Sequence, residues 1–181
     1  MNEAIIALLE DFNSDAILAQ IFIAIQERIA TEVPEIKFID QDLGQLEYYK
    51  DRPAVAFPCV LLDMADIQPT DNSGNSQIVT VTLEVRLAIA AYVEATRYFS
   101  RQHKETALNY YNVEHRINKA LHGWYIDGLF NALDRVRIKT ERREDNLRVR
   151  VISYQFAYMD NTAMRVPFQT IATPDLEIET I

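Results

Sequence analysis

Two hydrophobic periods organise this chain. Ile17, Ile21, Ile25 and Ile29 recur every fourth residue, and Leu18 and Phe22 widen the stripe. That spacing predicts an amphipathic helix over residues 14–33, with capping side chains at Asn13, Ser14 and Asp15 and a stop at Pro34. A short apolar helical piece, residues 3–11, precedes it. Tyr110, Val113, Ile117, Leu121 and Trp124 repeat the helical period, which predicts a second helix over residues 100–124 with Gly123 near its end.

Elsewhere the period is two. Residues 36–39 read as a short strand and residues 54–62 as a buried one. Pro58 lacks a ladder donor and predicts an edge position or a bulge in the latter. A turn signal at residues 71–75 leads to a long alternation. Val79, Val81, Leu83, Val85, Leu87 and Ile89 share one face; Thr80, Thr82, Glu84, Arg86 and Ala88 share the other. This run is longer than the usual ~5–6 residues and predicts a strand that reaches past its own domain toward a neighbour. A hairpin follows over residues 134–158, with Glu144, Asp145 and Asn146 supplying the turn. In its second strand Leu147, Val149 and Val151 give way to Ile152, Tyr154, Phe156 and Tyr158, so the apolar parity changes. Such a change predicts a bulge near Val151 or burial of both faces.

The order of elements predicts an α+β fold, a mostly antiparallel β-sheet of about four to five strands packed against two long α-helices. Residues 1–160 form a single domain in this reading. Residues 161–181 form an extended tail whose Phe168, Ile171, Leu176 and Ile178 dock on the same subunit or on a neighbour.

Charge changes the picture at one place. The chain has 181 residues, a net charge of −9 and no long apolar run, which disfavours a membrane span and nucleic-acid binding by the surface as a whole. Residues 135–150 nevertheless hold seven cations against three anions, a local +4, leaving −13 for the rest. Alternation in the hairpin predicts that Arg135, Arg137, Lys139, Arg148 and Arg150 project as a row. Three readings are open: a solvated face, a contact with an acidic surface of another subunit, or nucleic-acid binding, against which stands the lack of interleaved aromatics.

Candidate chemistry adds little. The single cysteine, Cys59, lies in an apolar run and reads as a buried hydrophobe in a reduced environment. Met1-Asn2-Glu3 lacks the basic start of a secretory signal, so a location inside the cell is expected. His115 and His122 lie seven residues apart, two helical turns, where metal ligands sit three or four apart; His103 stands alone. No glycine-rich phosphate loop, Gly-x-Ser-x-Gly elbow or Cys-x-x-Cys pair occurs. One enzymatic pattern competes: Asp63 followed by Glu84-Val85-Arg86 stands where metal-dependent nucleases of the restriction-endonuclease type carry an acid and Glu-x-Lys. Arginine stays protonated and cannot take the lysine's proton-transfer role. Catalytic, cofactor and metal residues are therefore expected to be absent.

The layout resembles that of the tail terminator, or tail completion, proteins of long-tailed bacteriophages. The long helix at residues 14–33 precedes a strand marked by Arg52-Pro53-Ala54-Val55. A long strand at residues 78–91 follows, then the helix ending near His122-Gly123-Trp124, then the antiparallel pair at residues 136–140 and 147–158. The resemblance implies a non-enzymatic homo-oligomer, typically a hexameric ring, that caps the tail tube, stops its polymerisation and meets the head–tail connector. It implies a place in a phage or prophage virion, or in the host cytoplasm during assembly. A neck or tube-associated protein of similar fold, or an intracellular α+β interaction module, are the other non-enzymatic readings.

Overall fold

A computed structural model of the chain describes residues 2–12, 14–47, 55–90, 94–145 and 147–164. Two helices come first, α1 (Asn2–Asp11) and α2 (Ile17–Glu32). The strands β1 (Phe38–Gln41), β2 (Cys59–Asp71) and β3 (Gln77–Ile89) follow. Helices α3 (Arg101–Leu108) and α4 (Tyr110–Leu121) lead to β4 (Asp134–Glu141) and β5 (Arg148–Asp160). The five strands form one sheet in the order β1-β2-β3-β5-β4. β1 runs parallel to β2, and every other neighbouring pair is antiparallel. The fold is α+β.

The predicted isoleucine stripe is the reason α2 sits where it does. Ile21, Ile25 and Ile29 are fully buried, in one cluster with Val60 and Leu62 of β2, the odd-numbered residues 79–87 of β3, and Ile152, Tyr154, Phe156 and Tyr158 of β5. Val113, Ile117 and Leu121 bring α4 into the same cluster. Helices therefore cover one face of the sheet, called here the front. Its back face carries a smaller cluster of Leu46, Cys59, Leu61, Ala88 and Val149, with Leu147 and Val151 packed against it. This second cluster explains the parity change in β5. Leu147, Val149 and Val151 serve the back core, Ile152 onward serves the front core, and the ladder with β3 runs without a register shift from Gln77 to Ile89.

Three expectations need adjustment. The second helix is broken at Asn109 into α3 and α4, and Ser100 caps α3 by accepting from the His103 amide at 3.2 Å. Pro58 does not lie inside a strand: it follows a cis Phe57–Pro58 peptide just before β2 begins. β2 in turn extends beyond Leu62 to Asp71, and the turn lies at residues 72–76, one position later than its signal, around a left-handed Gly74 at φ +73°. The features expected at Arg52-Pro53-Ala54 and at residues 165–181 lie outside the described residues.

β2 and β3 are thirteen residues each, as are the paired residues of β5. β1 pairs only with Cys59–Leu62, whereas β2 continues nine residues further. Among the described residues the outer edge of β2 from Asp63 to Asp71 has no strand partner. The opposite edge of the sheet is β4, exposed along almost its whole length.

Candidate functional site

The five cations expected to form one row do not share a face. Arg137 and Lys139 lie opposite Ser153 and Val151 of β5 and point to the back of the sheet. Arg148 and Arg150 have the parity of Ile152 and point to the front. A register shift between Arg135 and Arg137 leaves Val136 as the extra residue and turns Arg135 to the front, opposite Tyr154. The bulge inserts one residue and so reverses the facing of everything before it. No residue type at Val136 announces it.

Arg148 and Arg150 are engaged within the subunit. Arg150 donates from Nε to Glu114 Oε2 at 2.7 Å and from Nη1 to Thr140 Oγ1 at 2.5 Å, so it ties β5 to α4 and β4. Its guanidinium also lies 6.0 Å from the Tyr111 ring centre, and that of Arg148 lies 3.9 Å from the Tyr110 ring centre. Glu114, on α4, is buried, and Arg150 matches its charge there. Arg135, Arg137 and Lys139 are different. Their side chains make no ion pair with a described residue, and they stand exposed on the edge strand. Their backbones are held in the β4–β5 ladder, and the Arg135 N–H also donates to His122 Nδ1 at 3.2 Å.

Behind that edge lies a charge network that sequence reasoning missed. Arg86 of β3 contacts Asp42 at 2.6 Å, Glu47 at 2.6 Å and Glu141 at 2.9 Å. Arg143 contacts Glu47 at 3.0 Å, Glu141 at 2.9 Å and Asp145 at 2.6 Å, and donates to the Leu46 carbonyl at 2.6 Å. The two guanidiniums thus staple the loop after β1 and the β4–β5 turn onto the back of the sheet. Hydrogen bonding from Arg86 holds the Glu47 carboxyl below its ordinary value, and Arg143 does the same to Asp145. Burial disfavours charge on Arg86, yet the hydrogen bonds to Glu47 and Asp42 outweigh it and raise its pKa. Burial pushes the Cys59 thiol up to about 11, so it stays a neutral packing group. A signal for the network did exist: Arg86 interrupts an otherwise uncharged half-strand, Val85 to Ile89.

The pair weighed as nuclease ligands, Asp63 and Glu84, are direct cross-strand neighbours on the back face. Arg86, two residues on, is committed to the carboxylate network instead of to that pair. Among the described residues no group of three or more His, Cys, Asp or Glu side chains converges as a metal site would require. His103 and His122 take part in backbone contacts, to the Glu94 carbonyl and the Arg135 amide.

Two of the concavities among the described residues bear on these surfaces. A pocket of about 340 Å³ on the back face is lined by both signs of charge, including Glu84, Arg86, Arg137 and Lys139. An open groove of about 510 Å³ lies at the other end, between the residues 125–132 segment and the ends of β3 and β5, with Ile78, Tyr125 and Met159 exposed in it. Among the described residues no helix is long and apolar enough to cross a membrane.

No family model matches the chain, and no curated protein matches it either. Among solved structures, one chain of the "Virion of native gene transfer agent (GTA) particle" is similar in fold. It is 13% identical, the match covers 75% of this chain and 84% of that one, and the TM-score is 0.41.

Proposed function

We propose that this protein is a non-enzymatic assembly subunit of a phage or prophage tail, acting as a homo-oligomeric ring of the tail terminator kind. One observation carries the reading. Arg135, Arg137 and Lys139 stand exposed, without an ion-pair partner among the described residues, on a sheet edge of a chain whose net charge is −9. Positive charge concentrated on one edge of an acidic body suits a heterologous contact, in which one patch meets a different patch on the next copy. Such contacts close into rings when the rotation between copies closes. The order of elements is the second support: helix, strand, long strand, helix and antiparallel pair follow the layout of the terminators. In this reading Arg148 and Arg150 act through the fold, by holding β5 against α4, and the contact itself falls to Arg135, Arg137 and Lys139. The ring would cap a tail tube and face a head–tail connector, without cofactor or metal.

Native mass spectrometry of the full chain across a concentration series tests it, with electron microscopy of the largest species. A closed oligomer, six copies for a terminator, is expected. A strict monomer at every concentration, also in the presence of tail-tube protein, overturns the reading.

A further inference from the structure

Among the described residues, the part of β2 that β1 leaves uncovered and the edge strand β4 complement each other in charge, in facing and in strand direction. On β4, Arg137 and Lys139 face the back and Ile138, opposite Ile152, faces the front. On the uncovered part of β2, Asp63 and Asp66 face the back, opposite Glu84 and Thr82, and Ile67, opposite Val81, faces the front. Ile138 is 38% exposed and Ile67 41%, so each edge carries an apolar residue beside its charges.

One row across the back face shows the polarity directly. Asp63 pairs with Glu84, Glu84 with Ser153, and Ser153 with Arg137. The sheet is acidic at its β2 side and basic at its β4 side.

Direction agrees as well. β2 is antiparallel to β3, β3 to β5 and β5 to β4, so β2 and β4 point opposite ways. When a second copy is placed beside the first with the same face forward, β4 of one meets β2 of the next as an antiparallel pair. The ladder geometry of the sheet then continues between subunits. Cations stand against carboxylates on the back, and Ile138 stands near Ile67 on the front.

We propose that the occupant of the uncovered β2 edge, Asp63–Asp71, is β4 of a second copy of this chain, so that one continuous sheet runs through the assembly. This rests on the ring reading and names the surface that receives the basic edge. The edge is also guarded against other strands. Pro69 removes a ladder donor and the irregularity at Met64/Asp66 kinks the strand, both devices that blunt indiscriminate edge pairing. Asp63 and Asp66 add a charge that only a basic strand satisfies.

The first test uses the unaltered full chain. Within one subunit β2 and β4 are three strand spacings apart, roughly 14 Å, beyond the reach of a zero-length crosslink. Carbodiimide treatment should therefore join Lys139 to Asp63 or Asp66 only between copies, in a peptide recovered from the oligomer band. The second test reverses charge. Arg137→Glu with Lys139→Glu, or Asp63→Lys with Asp66→Lys, should weaken self-association ~100-fold or more, because like charges across an interface cost several kcal/mol. Circular dichroism should show each variant folded. The four changes in one chain should restore the oligomer with its polarity reversed, and the two double variants mixed should pair with each other. If the wild-type oligomer exists but neither double variant loosens it and no Lys139 crosslink forms, this edge assignment is overturned while the ring reading stands. A wild type that never associates overturns both.

Discussion

Arg86 shows most clearly how one residue can govern a surface. It is 13% exposed and is shared by three carboxylates, Asp42 and Glu47 from the loop after β1 and Glu141 from β4. Arg86→Ala leaves the largely buried Asp42 side chain, 12% exposed, without its ion-pair partner, and breaking a fully buried pair typically costs about 3–5 kcal/mol. Urea denaturation should show a loss near the lower end, since Glu47 and Glu141 are partly solvated. The same network sets an acid limit. Glu47 and Asp145 have depressed folded-state pKa values, so their contribution is complete above the ordinary values of 4.5 and 3.8. It is lost as pH falls through the lower, folded values. The melting temperature should therefore drop below about pH 4, and Arg86→Ala should flatten that drop. A second contrast separates a structural arginine from an exposed one. Arg150→Glu sets a carboxylate against the buried Glu114 and should cost about 3 kcal/mol or more. Arg137→Glu should leave the stability of the isolated subunit within about 0.5 kcal/mol. The comparison is made by thermal melting of the two variants, and an equal loss in both would contradict the split of the cations between two faces.

The elements differ in how readable they were. α2 is announced by its four isoleucines because burial of one helical stripe is a local demand on sequence, repeated at each turn. Ile25 is fully buried at its centre, and Ile25→Ala should cost about 2–5 kcal/mol in urea denaturation. β3 was equally legible from its strict alternation. β5 was harder, because it serves two cores in succession and neither period nor parity reveals which side each core occupies. β4 was misread. Arg135, Val136, Arg137, Ile138 and Lys139 alternate without fault, yet the bulge at Val136 divides them, and its cause lies in the pairing with β5. The division of residues 100–124 into α3 and α4 has a similar origin. Helical spacing persists in α4 alone, where Val113, Ile117 and Leu121 reach the front core, and α3 buries none of its residues.

At the scale of the whole molecule the sheet has a direction of charge. Acid gathers at the uncovered end of β2, base gathers on β4, and helices cover only the front. An assembly joined by such edges depends on ionic strength, since exposed charges are screened beyond a Debye length of about 10 Å at 0.1 M salt. The oligomer observed by native mass or sedimentation should dissociate progressively between about 0.05 and 0.5 M salt, while the subunit's melting temperature changes little. Salt-independent association would point instead to the apolar groove beside Ile78, Tyr125 and Met159 as the contact.

Fold class followed from the sequence alone, because helical and strand periods are set by local burial and are written residue by residue. The excess of positive charge between residues 135 and 150 followed too, since net charge is a sum over residues. Which cations face which side, and which are consumed inside the subunit, came only from the tertiary structure. Glu114 and Arg150 are 36 positions apart, and Arg86 meets Glu141 across 55; no local pattern encodes either meeting. Strand order likewise put the acidic and basic edges on opposite sides of one sheet. Edges are defined by the strands that are not beside them, and only the assembled sheet specifies which those are.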